Sequence, residues 1–301
     1  MELAVHQISR HFVGEVSGLD LTRPLTAEEF AAVRDAIDRH GVLVFHDQAL
    51  TDEQQIAFTR GFGAIENSAG GHVAKAHERR LGAEMNDVSN LGMDGKPLAR
   101  DDRKRMFNLG NRLWHSDSSF RAVPAKYSIL SGRKVAASGG NTEFADMRAA
   151  YDALDAATKV EIEDLHCEHS LMYSRGSLGF TDFTDEEKIM FRPVRQRLVR
   201  THPATGRKSL YLSSHIGTIV GWPMPEARAF LRDLSEHATA PEFVYVHCWR
   251  ANDLVMWDNR QTMHRVRRFD ESETRDMRRT TVAGDGPTAG DGPTAAQAEA
   301  A

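Results

Sequence analysis

Residues 243–264 read FVYVHCWRANDLVMWDNRQTMH. Two short apolar runs, Phe243–Cys248 and Leu254–Trp257, flank a turn-forming Asn-Asp pair and carry the β-branched and aromatic side chains that suit a pleated surface. Working outward, runs of the same kind recur at Val42–Phe45, Tyr127–Leu130, Leu198–Thr201, Ser209–Leu212 and Arg279–Val282. Helix signals lie between them. Thr26 with Glu29 and Thr51 with Gln54 have the form of capping boxes, Phe30, Val33 and Ile37 share a helical face, and Gly41 supplies a stop. Two further helical blocks run from about Met147 to Leu165, with Asp146 and Asp155 as caps, and from about Pro225 to His237. Many short strands with inserted helices predict a mainly β protein, a sandwich or barrel core wrapped by helices.

The quoted stretch ends on His264, where an apolar strand runs out into a polar turn. Upstream, Leu113-Trp114-His115-Ser116-Asp117 spaces an imidazole and a carboxylate two residues apart, so that on a strand both would point to one face. An HxD tripeptide also arises by chance. With His264 as third ligand, however, two imidazoles and a carboxylate would leave three adjacent coordination positions open, which suits iron(II) better than zinc. Trp114 and Trp257 flank these residues and read as packing. His166 and His169, three apart, read as structural or surface residues because no carboxylate constellation surrounds them.

Downstream of His264 lie Arg275, Arg278 and Arg279, and a spacing of four puts Arg275 and Arg279 on one strand face. A guanidinium fork matches a carboxylate, so one arginine could hold a dicarboxylate and another an anionic substrate. Taken alone, such a cluster also reads as a solvated edge strand.

The 301 residues carry 38 basic and 43 acidic side chains, a formal charge of -5, which disfavours a nucleic-acid partner. Cys167 and Cys248 are too few for a disulfide framework and fit a reducing compartment, the cytoplasm. No apolar run reaches membrane-spanning length, which points away from a membrane. The weakly patterned stretch 69–105 reads as a functional lid, and within it His72 and Lys75 are either exposed loop residues or aids to anion binding. The hexapeptide GDGPTA occurs twice from Gly284 and precedes AQAEAA, so residues 1–283 are expected to form a single domain and 284–301 a flexible tail.

The order HxD, Gly139-Gly140-Asn141-Thr142, WDNRQTMH and a trailing arginine set resembles the TauD/TfdA family of iron(II)- and 2-oxoglutarate-dependent dioxygenases, over essentially the whole chain except the tail. The resemblance implies a double-stranded β-helix, or jelly roll, with helical insertions. It implies His115, Asp117 and His264 as iron ligands, Thr142 and Arg275 as partners of the distal 2-oxoglutarate carboxylate, Arg279 as the substrate-anion clamp and Asn111 in the substrate pocket. Dioxygen is then the oxidant, and the substrate a small anionic organic acid. The stretches LWHSDSSF, DMRAAYDAL and DLVMWDNR imply an aryloxyacetate, such as 2,4-dichlorophenoxyacetate, with ether cleavage to a phenol and glyoxylate. A taurine-like sulfonate or alkyl sulfate substrate is the first alternative, and a non-catalytic metal-binding jelly roll the second. The resemblance also suggests a homo-oligomer.

Overall fold

Thr26 and Glu29 cap each other: the Thr26 hydroxyl accepts from the Glu29 amide at 3.2 Å, and the Glu29 carboxylate accepts from the Thr26 amide at 2.8 Å. The helix they open, α1 (Ala27–His40), stops at Gly41, whose φ of +71° favours glycine. Thr51 and Gln54 start α2 (Asp52–Arg60) in the same way. These elements belong to a computed structural model describing residues 3–68, 73 and 78–289, with strands and helices numbered here along the chain.

A seven-stranded sheet forms one layer, in the order β1 (Ala4–Gln7), β2 (Gly14–Ser17), β3 (Val42–Phe45), β13 (Leu254–Asp258), β5 (Tyr127–Lys134), β15 (Asp276–Val282) and β4 (Asn86–Asp87). Facing it is a three-stranded sheet, β12 (Val244–His247), β6 (Thr142–Asp146) and β14 (Thr262–Val266). Another three-stranded sheet joins β11 (Ile216–Ile219), β7 (His166–His169) and β8 (Val194–Arg197), and a ribbon pairs β10 (Lys208–Leu210) with β9 (Val199–Thr201). The helices α3 (Arg103–Asn108), α4 (Met147–Asp152), α5 (Ala156–Ile162), α6 (Leu171–Gly176), α7 (Asp185–Met190) and α8 (Met224–Ala238) complete the chain.

Strand alternation sorts the core into layers. Val42, Val44, Val255 and Trp257 meet Phe144 and Met277 in the interior of the sandwich, while Leu43, Phe45, Leu254 and Met256 pack outward on Val33, Ile37 and Phe58 of α1 and α2. On the opposing sheet Ala145 and Met263 pack outward with α4 and α8. Their neighbours Phe144 and His264 therefore face inward, and Trp257 lies 4.6 Å, ring to ring, from His264. The mainly β architecture with helical insertions is as expected.

Three expectations are corrected. The block from Met147 to Leu165 is two helices, α4 stopping at Asp152 and Asp155 capping α5 by accepting from the Thr158 amide at 3.0 Å. His264 is not in a turn but in the middle of β14, a strand whose mixed Thr-Met-His-Arg-Val sequence hides it. Of the proline-glycine tail, Gly284 to Ala289 pack on the body: Lys126 reaches Asp285 at 3.0 Å, Thr288 bonds Gln196, and Ala289 is buried. Residues 290–301 lie outside the described residues.

The turn that joins β13 to β14, and so positions His264, is built on Asp258. This fully buried carboxylate accepts from the Arg260 guanidinium at 2.9 and 2.7 Å, from Gln261 at 3.0 Å and from His202 at 3.1 Å. Asp258→Ala leaves the Arg260 charge without its closest partner, and a loss of about 3–5 kcal/mol of stability is expected in urea unfolding. A change below about 1 kcal/mol would show that the network does not hold this turn.

Candidate metal and substrate site

His115 and His264 are joined by a two-residue antiparallel bridge, His115 N donating to His264 O at 3.0 Å and His264 N to His115 O at 2.9 Å. Their rings lie 4.2 Å apart. The bridge is isolated, so the expected strand through His115 and Asp117 is not formed. Asp117 instead begins a turn in which Ser118 has φ +54°, and the turn brings the carboxylate round to the imidazoles. Asp117 Oδ1 lies 3.8 Å from His115 Nε2, and Oδ2 lies 3.7 Å from His264 Nε2. All three side chains are buried, with their ligand atoms within 4.8 Å of one another.

The surroundings suit a cation. His115 Nδ1 donates to the Leu113 carbonyl at 2.8 Å, which leaves the Nε2 lone pair directed at the site. Burial holds both imidazoles below their ordinary pKa and so neutral. Burial alone would raise the pKa of Asp117, yet the Arg279 guanidinium, helped by the Ser128 hydrogen bond, holds it well below the usual carboxylate range. Ser128 donates to Asp117 Oδ2 at 2.7 Å, Asn259 accepts from the Asp117 amide at 3.0 Å, and Trp257 donates to Asn259 at 3.0 Å. Two neutral imidazoles and one oriented carboxylate on one side of a cavity match the donor set of an open octahedral site. A second grouping, Asp38, His202 and Asp258, is instead filled by the Arg260 guanidinium, 3.3 Å from Asp38 and 2.7 Å from Asp258.

On β15 the alternation runs unbroken, because the register shift opposite Asp276 and Met277 skips Arg133 of β5. Met277 and Arg279 therefore share the interior side, Arg275 is buried just before the strand, and Arg278 faces α2 and pairs with Asp52 at 2.6 Å. Arg279 ion-pairs with Asp117. Arg275 lies over the Phe269 ring at 5.3 Å and donates to the Gly140 carbonyl at 3.3 Å; burial pushes its pKa down to about 10. Gly140 is at φ +66°, and a Cβ there would come within 3.2 Å of Arg275 Nε, so this glycine makes room for the guanidinium. Two residues on, Thr142 Oγ1 accepts from Trp249 Nε1 at 2.9 Å.

Two cavities adjoin here and share Val88, Asn108 and Asn111. One is lined by Arg275 and Phe269, the other by His115, Asp117 and Arg279 with Phe107, Phe120 and Leu171. Asn111 thus stands at the junction. Sequence reading missed Ser128, Asn259, Glu66, Arg175 and His215. The first two carried a signal, a polar residue inside an otherwise apolar strand and an Asn in the WDNR run; the others carried none. Trp257 fills the core as expected, and Trp114 is half-buried beneath Arg265 at 4.5 Å. His169 is buried, its Nδ1 3.0 Å from Ser119, and His166 bonds the Asp164 carbonyl at 3.0 Å. His72 and Lys75 lie outside the described residues.

Residues 4–281 match the family described as taurine catabolism dioxygenase TauD, TfdA family. The chain is 44% identical to the alpha-ketoglutarate-dependent 2,4-dichlorophenoxyacetate dioxygenase of Cupriavidus pinatubonensis, covering 95% of this chain and 99% of that one. It is 40% identical to the (S)-phenoxypropionate/alpha-ketoglutarate-dioxygenase of Sphingobium herbicidovorans, over 82% of this chain and 83% of the other. Among solved structures, AAD-2 in complex with Mn(II) and N-oxalylglycine superposes with a TM-score of 0.94 at 68% identity, covering 96% of this chain and 100% of that one. No helix among the described residues is long and apolar enough to cross a membrane. In sequence and in fold, the chain belongs to the TauD, TfdA dioxygenase family.

Proposed function

We propose that this protein is an iron(II)- and 2-oxoglutarate-dependent dioxygenase that hydroxylates an aryloxyacetate, such as 2,4-dichlorophenoxyacetate, at the carbon beside its carboxylate. The observation that carries the reading is the buried His115, Asp117 and His264 triad, of which His115 and Asp117 line the same cavity as Arg279. Iron(II) held by the three side chains would supply dioxygen activation coupled to oxidative decarboxylation of 2-oxoglutarate, one oxygen atom leaving in succinate and the other entering the substrate.

The protein's own part is placement. Arg275, charged and without a carboxylate partner among the described residues, receives the distal carboxylate of 2-oxoglutarate, with Thr142 oriented beside it by Trp249. Arg279 receives the acid group of the substrate, and Phe107, Phe120 and Leu171 enclose its aryl body. Hydroxylation next to the ether oxygen gives a hemiacetal, which collapses to a phenol and glyoxylate, so the site needs no hydrolytic nucleophile. We also infer a homo-oligomer in the reducing cytoplasm; both cysteines are free, Cys248 at the surface.

The test is succinate release from 2-oxoglutarate with iron(II) under air, in the presence of an aryloxyacetate, taurine or an alkyl sulfate. Succinate with stoichiometric phenol and glyoxylate from the aryloxyacetate is the expected result. Stimulation by a sulfur anion alone would move the substrate class, and bound iron without turnover would leave a metal-binding jelly roll.

A further inference from the structure

Four arginine side chains are buried among the described residues: Arg148, Arg175, Arg260 and Arg275. A guanidinium stays charged in a protein, and an uncompensated buried charge is costly, so each should have a counter-charge. Arg148 has Asp146 at 2.9 Å and Arg260 has Asp258 at 2.7 Å. Arg275 has none, and its counter-charge is the 2-oxoglutarate carboxylate in the reading above. That leaves Arg175, which is 5% exposed, lies on α6 and lines the same cavity as His115, Asp117 and Arg279.

Among the described residues, the direct contacts of Arg175 are all neutral. It lies over the Phe107 ring at 4.5 Å, donates to Ser174 Oγ at 3.0 Å and to Asn111 Oδ1 at 3.4 Å, and its buried Nε has no partner. The neighbouring His215 is held neutral by burial, with Arg175 adding to the effect. Burial alone drives the Arg175 pKa, down to about 9, with no carboxylate opposing it. The chain also makes room for this unpaired group. A Cβ at Gly110 would come within 2.5 Å of the guanidinium carbon, so no residue but glycine lets Arg175 lie where it does. Arg279, by contrast, already has Asp117 as its partner.

We propose that Arg175 is a second anion-binding residue of the substrate cavity, giving the substrate's acid group a counter-charge alongside Arg279 and setting the preference for acids over neutral analogues. The proposal rests on the aryloxyacetate reading for the identity of that acid.

The experiment is an anaerobic equilibrium titration of the iron- and 2-oxoglutarate-loaded enzyme with an aryloxyacetate and with its neutral amide. It uses wild type, Arg175→Met, Arg175→Lys and Gly110→Ala. In Arg175→Met, affinity for the acid should fall about 30-fold or more, while affinity for the amide and for 2-oxoglutarate stays within about threefold. Gly110→Ala should follow Arg175→Met, and Arg175→Lys should recover part of the acid preference. Because Met removes an uncompensated charge, the Tm of the ligand-free protein should not fall. Equal weakening of acid and amide, an unchanged acid affinity, or a lower Tm with the acid preference retained would overturn the proposal.

Parallel titrations with an alkylsulfonate and an alkyl sulfate, each against a neutral counterpart, separate this proposal from the reading beneath it. If wild type binds a sulfur anion and not the aryloxyacetate, the substrate reading fails, and Arg175 is judged on that anion. If wild type distinguishes no anion from its neutral counterpart, both fail.

Discussion

Asp117→Ala is expected to reduce succinate formation to background and to weaken metal binding by at least about 100-fold, since loss of a partner that merely orients a ligand costs 10- to 100-fold. The carboxylate is the sole anion of the triad, and its two oxygens face the two Nε2 atoms at 3.8 and 3.7 Å. Asp117→Asn separates charge from shape, because it keeps the volume and hydrogen-bonding capacity opposite Ser128 while losing the charge that offsets a divalent ion. It should fail as Asp117→Ala does. Stability provides an independent readout in the metal-free protein. The Arg279 guanidinium and the Ser128 hydrogen bond hold the folded-state pKa of Asp117 below its unfolded value. The stabilisation is therefore present above the unfolded pKa of about 4 and is lost as the pH falls toward the folded one. Wild type should accordingly lose more stability than Asp117→Asn on acidification below about pH 4. Retained turnover in Asp117→Asn, measured with its iron content, would remove Asp117 from the ligand set.

How much of this was legible in the sequence depends on whether the information was local. The ends of α1 and α2 were readable because a capping box and a left-handed glycine are chemistry within four residues. Val42–Phe45 and Leu254–Trp257 were readable because strands buried on both faces are continuously apolar. β14 was not, since one face packs Met263 against α4 and α8 while the other presents His264 to the sandwich interior, and no simple alternation of apolar and polar survives. The triad's membership was accessible from its motif order, but its geometry was not. His115 and Asp117 meet His264 through an isolated bridge and a left-handed Ser118, not through a shared strand face. Arg175 had no signal at all. What distinguishes it is the absence of a carboxylate in a neighbourhood assembled from Phe107, Asn111 and Ser174, which only folding brings together.

Arg279 on β15 and Arg275 just before it should divide their work cleanly. Arg275 is 4% exposed and has no carboxylate partner among the described residues, so an arriving carboxylate gains a desolvated, charge-assisted bond that water does not offer. Arg275→Ala removes that bond and is expected to raise the 2-oxoglutarate KM about 30-fold or more, with the aryloxyacetate KM within about twofold of wild type. Arg279 lies four residues further on, within β15, and lines the cavity with His115 and Asp117 rather than the one with Phe269. Its substitution by alanine should raise the aryloxyacetate KM by a comparable factor and leave the 2-oxoglutarate KM nearly unchanged. Arg279→Ala carries a second consequence that Arg275→Ala does not. It deprives Asp117 of the guanidinium that does most to hold its pKa down, so metal binding should weaken as the pH falls while that of Arg275→Ala follows wild type. Steady-state kinetics varying each substrate in turn, with iron binding measured across pH, checks both halves. Equal shifts in both KM values from both variants would mean that the arginines act on one shared anion, and the division of roles would have to be abandoned.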